Sequence, residues 1–314
     1  MNSDIFDVLI LGGGPAGLTA SIYTSRANLK TLVISGQPSG GQLMLTTDVE
    51  NYPGFPDGIL GPELIETFRK QSSRFNTEFK DENVVSVSGS KDKNFIVKTD
   101  SGNTYEGRTL IIATGATAKW LELPSEQRLR GKGVSACATC DCFFFKGKNV
   151  AVVGGGDTAM EEALFLTKFS PKVYVLVRGS QDKMKASKYM YAKASANEKI
   201  VFHFNTEILD VLGGEFVEGV KVVNNLTNET YVMEDVKGLF LAIGHKPNTE
   251  FLEGFVKLGK LGYIEVNDNT KTSEEGVFVA GDVSDYKYRQ AVTASGLGCM
   301  AALDTEKFLS EHEK

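Results

Sequence analysis

Three clusters in this 314-residue sequence carry groups able to do chemistry: one pair of thiols and two glycine turns. Cys137-Ala138-Thr139-Cys140 spaces two sulfurs so that they close a small ring, and Asp141 follows at once. The thiolate is the reactive form of cysteine, and a helix N-terminus favours it. Asp141 is near enough to move protons during dithiol exchange. The plainer alternative is an acid placed at a helix start to meet the dipole. Zinc is the competing chemistry for this spacing, but a structural site needs four ligands. The remaining cysteines are Cys142, directly adjacent, and Cys299, far along the chain, while His203, His245 and His312 stand apart. A redox disulfide therefore fits better than a metal. Cys142 and Cys299 are read as packing residues.

Gly12-x-Gly14-x-x-Gly17 and Gly154-x-Gly156-x-x-Ala159 are the other two clusters. In such a motif the first glycine permits a tight turn, the second lets backbone approach a pyrophosphate, and the third lets the helix pack on its strand. The N–H groups of the following helix then face the phosphates. A single motif of this kind is weak evidence, because glycine-rich turns are common. Here each follows an apolar run, Val8-Leu9-Ile10-Leu11 and Val150-Ala151-Val152-Val153, and each precedes a segment of small helix formers, the first opened by Pro15. Two dinucleotides in one chain imply electron traffic between them, and a flavin with a nicotinamide is the pair that fits. An acid about 20 positions after the glycines would mark an NAD ribose. The first motif is followed by Ser35-Gly36-Gln37 and the second by Arg178, Lys183 and Lys185. Cations there suit the 2′-phosphate of NADPH, with a solvated basic turn as the alternative.

The elements that must position these groups are strand–turn–helix–strand units, twice over, with Thr31-Leu32-Val33-Ile34 and Lys172-Val173-Tyr174-Val175-Leu176-Val177 as the second strands. The fold expected is α/β, two Rossmann-like dinucleotide-binding domains with β-meander segments near residues 84–98 and 218–223. Leu110-Ile111-Ile112-Ala113 and Gly238-Leu239-Phe240-Leu241-Ala242 have the fully apolar pattern of buried central strands. The glycines after them, Gly115 and Gly244, are the points where the chain is expected to cross between domains. Residues 290–309 read as one long helix whose small residues permit close approach to a flat ligand or to a sheet. Lys+Arg 34 against Asp+Glu 40 gives a net charge of −6, which excludes a general nucleic-acid or anionic-membrane binder. No apolar run approaches a spanning helix. Asp4 and Asp7 flank the first strand, unlike a signal peptide, and a cytoplasmic enzyme is expected.

Gly12-Gly13-Gly14-Pro15-Ala16-Gly17-Leu18, Ala113-Thr114-Gly115, Cys137-Ala138-Thr139-Cys140-Asp141, Gly154-Gly155-Gly156-Asp157-Thr158-Ala159 and Ala280-Gly281-Asp282 occur in that order. With them the chain resembles the low-molecular-weight thioredoxin reductases from end to end. The resemblance implies a homodimer with FAD held by a discontinuous domain, residues 1–115 and 247–314, and an inserted NADPH domain, residues 116–246. It implies that Gly41, Gln42 and Asn51 lie along the FAD, with Asp282 in the terminal flavin motif and Arg289, Gln290 and Ala291 beside the ring. Cys140 matches the cysteine nearest the flavin, Cys137 the one that attacks oxidised thioredoxin, and Asp141 the acid–base residue. Phe143 and Phe144 match aromatics that receive the partner, although three consecutive Phe are equally good core residues, and Lys132 matches a cation that contacts it. Gly154, Gly156, Asp157, Thr158, Arg178 and Lys185 fall on the NADPH. A domain rotation, hinged near Gly115 and Gly244–Pro247, would alternate the dithiol between flavin and partner. The rival readings are an NAD(P)H oxidase and a disulfide reductase serving a peroxidase.

One departure matters. The family's bacterial pattern after the second strand is His-Arg-Arg, with another Arg before Ala-Ser-Lys; here stand Val177-Arg178-Gly179, and Lys185 before Ala186-Ser187-Lys188. One phosphate-binding arginine is lost and another becomes Lys, without the bidentate fork. Selectivity for NADPH over NADH, measured as a ratio of kcat/KM values, is therefore expected to be about 10- to 100-fold weaker than with all three arginines. NADH rejection as strict as the bacterial pattern supports would contradict this.

Overall fold

The protein was analysed as a computed structural model, which describes residues 5–46 and 48–312; Asp4 lies outside the described residues. The chain divides into two compact units. One combines the segments up to Thr117 and from Lys246 onward, and the other is Ala118–His245.

In the first unit the apolar strand Phe6–Leu11 runs parallel to Thr31–Ile34 on one side and to Thr104–Ile112 on the other. Pro15 opens the helix Pro15–Arg26, where its missing N–H leaves no bond unmade. The seven-stranded sheet runs Glu78–Lys80, Thr31–Ile34, Phe6–Leu11, Thr104–Ile112, Asn94–Thr99, Val84–Ser90, with Val277–Val279 also on Thr104–Ile112. Its last three strands form an antiparallel meander, as the alternating segments predict. Leu110, Ile111 and Ile112 are wholly buried, which is why their run carries no polar residue.

The helix Ala291–Glu311 covers this sheet through Ala294, Ala301 and Ala302. Its small residues serve a second purpose that the sequence reading did not name, namely contact with another helix. A Cβ at Gly298 would fall well inside van der Waals distance of the Ala16 carbonyl oxygen, so the last helix presses directly on the first.

The second unit is built on a five-stranded parallel sheet: Val134–Ser135, Val236–Leu241, Asn149–Val153, Val173–Leu176, Ile200–His203. The helix Asp157–Leu166 follows its glycine turn. A three-stranded antiparallel meander, Thr206–Leu212, Gly219–Asn224 and Thr230–Met233, packs apolar side chains against Leu176, Leu239 and Leu241. Both units are Rossmann-like.

Two glycines two residues apart in the last helix, on roughly opposite faces, should respond oppositely to alanine. Gly298→Ala is expected to destabilise by roughly 1–3 kcal/mol through overpacking. At Gly296 a Cβ meets nothing within 4 Å, so Gly296→Ala is expected to stabilise by about 0.5–1 kcal/mol through helix propensity. Thermal unfolding followed by circular dichroism tests the signs; equal responses would remove the close-approach argument.

Candidate active site

Cys137 and Cys140 are joined as a disulfide with Cα atoms 5.3 Å apart. Cys137 is extended and immediately precedes the four-residue helix Ala138–Asp141, within which Cys140 lies. Ser135, at the end of the edge strand Val134–Ser135, organises the segment. Its Oγ accepts the Cys137 N–H at 3.0 Å and donates to the Cys137 carbonyl at 3.3 Å, and it lies close enough to the Asp141 carboxyl to influence it. Burial pushes that carboxyl above its ordinary range, and the nearby Ser135 hydroxyl only partly offsets the effect. The helix is a single turn, so Asp141 is both its first-turn acid, as the helix-start reading has it, and its last residue, and burial raises its carboxyl there. A carboxyl held toward its protonated form beside a disulfide is a proton source for thiol chemistry.

The neighbouring residues separate by burial. Cys142 lies in the core of its unit with Ala138 and Phe145, which is packing. Cys299 is half-buried beside Tyr23, whose hydroxyl it pushes above its ordinary range. Of the three phenylalanines, Phe143 is 58% and Phe144 39% exposed, whereas Phe145 is 7% exposed. Phe145 stacks edge-on to Phe240 at 5.1 Å, in space that Gly238 leaves clear. The triplet thus supplies one core residue and two surface aromatics next to the dithiol. Lys132 is exposed.

The first glycine turn fits a diphosphate. Gly12 takes φ +120° and leaves no room for a side chain against the Ala113 carbonyl, and Gly17 leaves none against Gly12. Gly14 is open, its Cβ position 3.9 Å from the nearest atom, and the helix it caps has no acid in its first turn. Pro15 and Ala16 continue from it. Gly41 sits against Gly14, whose Cα lies 3.8 Å from the position a Gly41 Cβ would take, and opens the short helix that carries Gln42. From the far end of the chain, Gln290 accepts a 3.3 Å hydrogen bond from the Asn51 amide and caps the helix beginning at Ala291 together with Thr293. Arg289 donates its N–H to Asp285. Gly281 packs on Ala16, which brings Asp282 to the same turn. The Asp282 Oδ1 is buried without a hydrogen-bond partner among the described residues. Burial first, then Asp285, pushes this carboxyl up to about 6, with Arg289 opposing. An unpaired buried acceptor is costly, and a ligand hydroxyl would satisfy it, as the ribityl chain of a flavin can.

Sequence reasoning missed Asn248. Its Nδ2 donates to the Thr114 carbonyl at 2.8 Å, its carbonyl accepts the Thr114 hydroxyl at 2.8 Å, and its Oδ1 accepts the Thr117 hydroxyl at 3.0 Å. Its N–H reaches the Gly115 carbonyl at 3.0 Å. The Ala113-Thr114-Gly115 turn is therefore shaped by a side chain more than 130 positions away.

In the second unit Gly154 leaves 2.5 Å between its Cβ position and the Ala242 carbonyl, while Gly156 is open. Asp157 and Thr158 begin the helix. Arg178 and Lys185 are exposed, at opposite ends of the loop that follows the second strand. The Lys185 and Ala186 N–H groups bond the Gly155 carbonyl at 2.9 Å, which joins this loop to the glycine turn. An open glycine, a helix start and two cations in one place fit a phosphorylated nucleotide.

Asp282 allows a test of the first glycine turn without activity. Its unfolded value is near 3.8 and its folded value about 6, so its contribution to apoprotein stability is fully present below pH 4 and is lost as pH rises to about 6. Asp282→Asn is expected to raise the apoprotein's thermal midpoint at pH 7.5, by an energy of roughly 2–3 kcal/mol, and to leave it unchanged at pH 4. An equal effect at both values would show that ionisation is not the cause.

Among the described residues no helix is long and apolar enough to cross a membrane. Residues 6–298 match the pyridine nucleotide-disulphide oxidoreductase family. The chain is 48% identical over 310 residues to a thioredoxin reductase of Mycolicibacterium smegmatis, covering 98% of each. It is 50% identical to one of Chlamydia pneumoniae, covering 96% of this chain and 98% of that one. The crystal structure of thioredoxin reductase from Streptococcus pyogenes superimposes with a TM-score of 0.93 at 36% identity, over 99% of this chain and 100% of the other. The chain belongs to the pyridine nucleotide-disulphide oxidoreductase family and groups within it with the thioredoxin reductases.

Proposed function

We propose that this chain is a cytoplasmic, homodimeric thioredoxin-disulfide reductase that takes electrons from NADPH and uses FAD and the Cys137–Cys140 disulfide to deliver them to oxidised thioredoxin. The observation that carries the reading is a disulfide inside a Rossmann-like unit with a glycine turn, with a largely buried carboxyl of raised pKa one residue away. The segments up to Thr117 and from Lys246 onward are assigned to FAD, and Ala118–His245 to NADPH. When bound, FAD accepts two electrons from the nicotinamide and can pass them to a disulfide.

The chain's own part is thiol chemistry. Two electrons and one proton break the Cys137–Cys140 bond, leaving one thiolate and one thiol, and Asp141 is the group placed to give that proton. Cys137, at the start of its helix, attacks the partner disulfide as thiolate. A mixed disulfide forms and a partner thiolate leaves. Cys140 then gives its proton to the first partner thiolate and attacks Cys137, re-forming the original bond and releasing the second partner thiolate, which takes up the remaining proton. In sum, NADPH, one proton and a protein disulfide give NADP+ and a protein dithiol. Phe143, Phe144 and Lys132 offer an exposed aromatic and cationic surface for that partner.

Anaerobic NADPH oxidation should wait for oxidised thioredoxin in the wild type and be lost in Cys140→Ser. Asp141→Asn should lower it roughly 10²-fold, the scale of one general acid. Because burial raises its pKa, Asp141 remains a proton donor further toward neutral pH, and the fall in rate as pH rises should be absent in Asp141→Asn. Cys140→Ser protein that keeps its full NADPH consumption in air would instead establish oxidase chemistry.

A further inference from the structure

Asp157 presents a puzzle in the second glycine turn. It is the first residue of the helix Asp157–Leu166, where a dinucleotide's phosphates would lie, and a carboxylate there repels them. The structure shows what occupies it. Its Oδ1 accepts the Ser187 N–H at 2.6 Å, a charge-assisted bond across thirty residues. Ser187 in turn caps the helix Lys188–Ser195 by accepting the Met190 N–H on its Oγ. Immediately before it, the N–H groups of Lys185 and Ala186 both bond the Gly155 carbonyl at 2.9 Å. Three bonds therefore fasten residues 185–187 to the glycine turn.

The two cations of the loop are held by different means. The Arg178 carbonyl accepts from the Asn225 amide at 3.1 Å, the same amide is held by Glu207, and the Gly179 carbonyl accepts the Asn205 N–H at 3.0 Å. Nothing in that set involves Asp157. Lys185, by contrast, stands two residues from the Asp157–Ser187 bond and next to the Gly155 carbonyl. Between the two ends Met184 and Ala186 pack on the core of the unit, and at the Lys185 end the two backbone bonds to Gly155 are joined by one side-chain latch, that of Asp157.

We propose that Asp157 is a positioning residue for recognition of the 2′-phosphate: it latches residues 185–187 to the glycine turn, fixing Lys185 but not Arg178. The proposal rests on reading this unit as the site of a 2′-phosphorylated nicotinamide nucleotide. It assigns specificity to a residue that does not touch the phosphate. Lysine needs this more than arginine would, because its flexible stem and single charge give no planar fork to fix the geometry.

Calorimetric titration of the purified, flavin-loaded protein with 2′,5′-ADP and with 5′-AMP tests it without turnover. The wild type should prefer 2′,5′-ADP. In Asp157→Ala the preference should shrink by about 3- to 10-fold with 5′-AMP binding nearly unchanged, and Lys185→Ala should lose a similar amount. The double variant should lose no more than Lys185→Ala alone, whereas Arg178→Ala should add its own loss to that of Asp157→Ala. Asp157→Asn keeps an oxygen acceptor and should retain the preference. Loss of both ligands together in Asp157→Ala, no rescue by Asn, or full additivity with Lys185→Ala would overturn the latch. A wild type that binds the two nucleotides equally would overturn the underlying assignment of the unit, a result distinct from a failure among the variants.

Discussion

Backbone against backbone, with no side chain between, is the contact on which both units depend. In the first unit Gly12 meets the Ala113 carbonyl, Gly17 meets Gly12, and Gly298 meets Ala16. Two strand ends, the first helix and the last helix are thereby fixed to one another around a single turn. The second unit repeats part of the device: Gly154 meets the Ala242 carbonyl, and the third motif position is Ala159, whose Cβ lies 3.0 Å from the Gly154 Cβ position. A methyl group anywhere in the first set would push apart elements packed at crystal-like density, which has a cost of kilocalories rather than tenths. What remains open after these contacts, the free sides of Gly14 and Gly156, is the space a phosphate can enter.

The buried carboxylates divide by how many donors they have. Glu126 is fully buried and accepts four bonds, from the Leu121 and Glu122 N–H groups and from two nitrogens of Arg130, which itself lies over Trp120. A carboxylate so satisfied is structural; it ties a loop to a short helix. Asp141 has the nearby Ser135 hydroxyl, and Asp282 has a bare oxygen. Unfolding removes such a penalty, so folding alone gives no reason to keep these two under-paired acids. Their places offer one: one follows the disulfide directly, and the other lies at the first glycine turn, where a ligand hydroxyl would pair it.

Much of this was legible in the sequence because glycine turns, apolar central strands and a C-x-x-C are local patterns with fixed spacing. The rest is long-range. Asn248 is a single amide with no periodicity around it, and its partners at Thr114 and Thr117 become visible only when the chain returns. The Phe143-Phe144-Phe145 triplet has one composition and two environments, decided by the absence of a side chain at Gly238. Asp157 was read as a ligand contact because of its place in the motif, yet its carboxylate is engaged by Ser187. The small residues of the last helix were read toward a ligand or a sheet, and the closest of them faces a helix instead.

The dithiol segment shows why such long-range anchors matter for reactivity. Upstream, Val134 and Ser135 pair with Leu239 and Phe240 on the sheet edge, and the left-handed turn at Gly133 packs on Val217. Downstream, Phe145 is locked onto Phe240 and Gly238. Between these anchors the Cys137–Phe144 stretch is a short helical loop, with Ala138 and Cys142 its buried side chains. Breaking or forming the sulfur–sulfur bond therefore alters a loop whose ends are held by the sheet, and not the sheet itself. A disulfide that closes so small a ring contributes less to stability than one spanning a long loop. That is the condition for a bond that must open in every cycle: its loss must leave the fold that positions Ser135, Asp141 and the exposed aromatics intact.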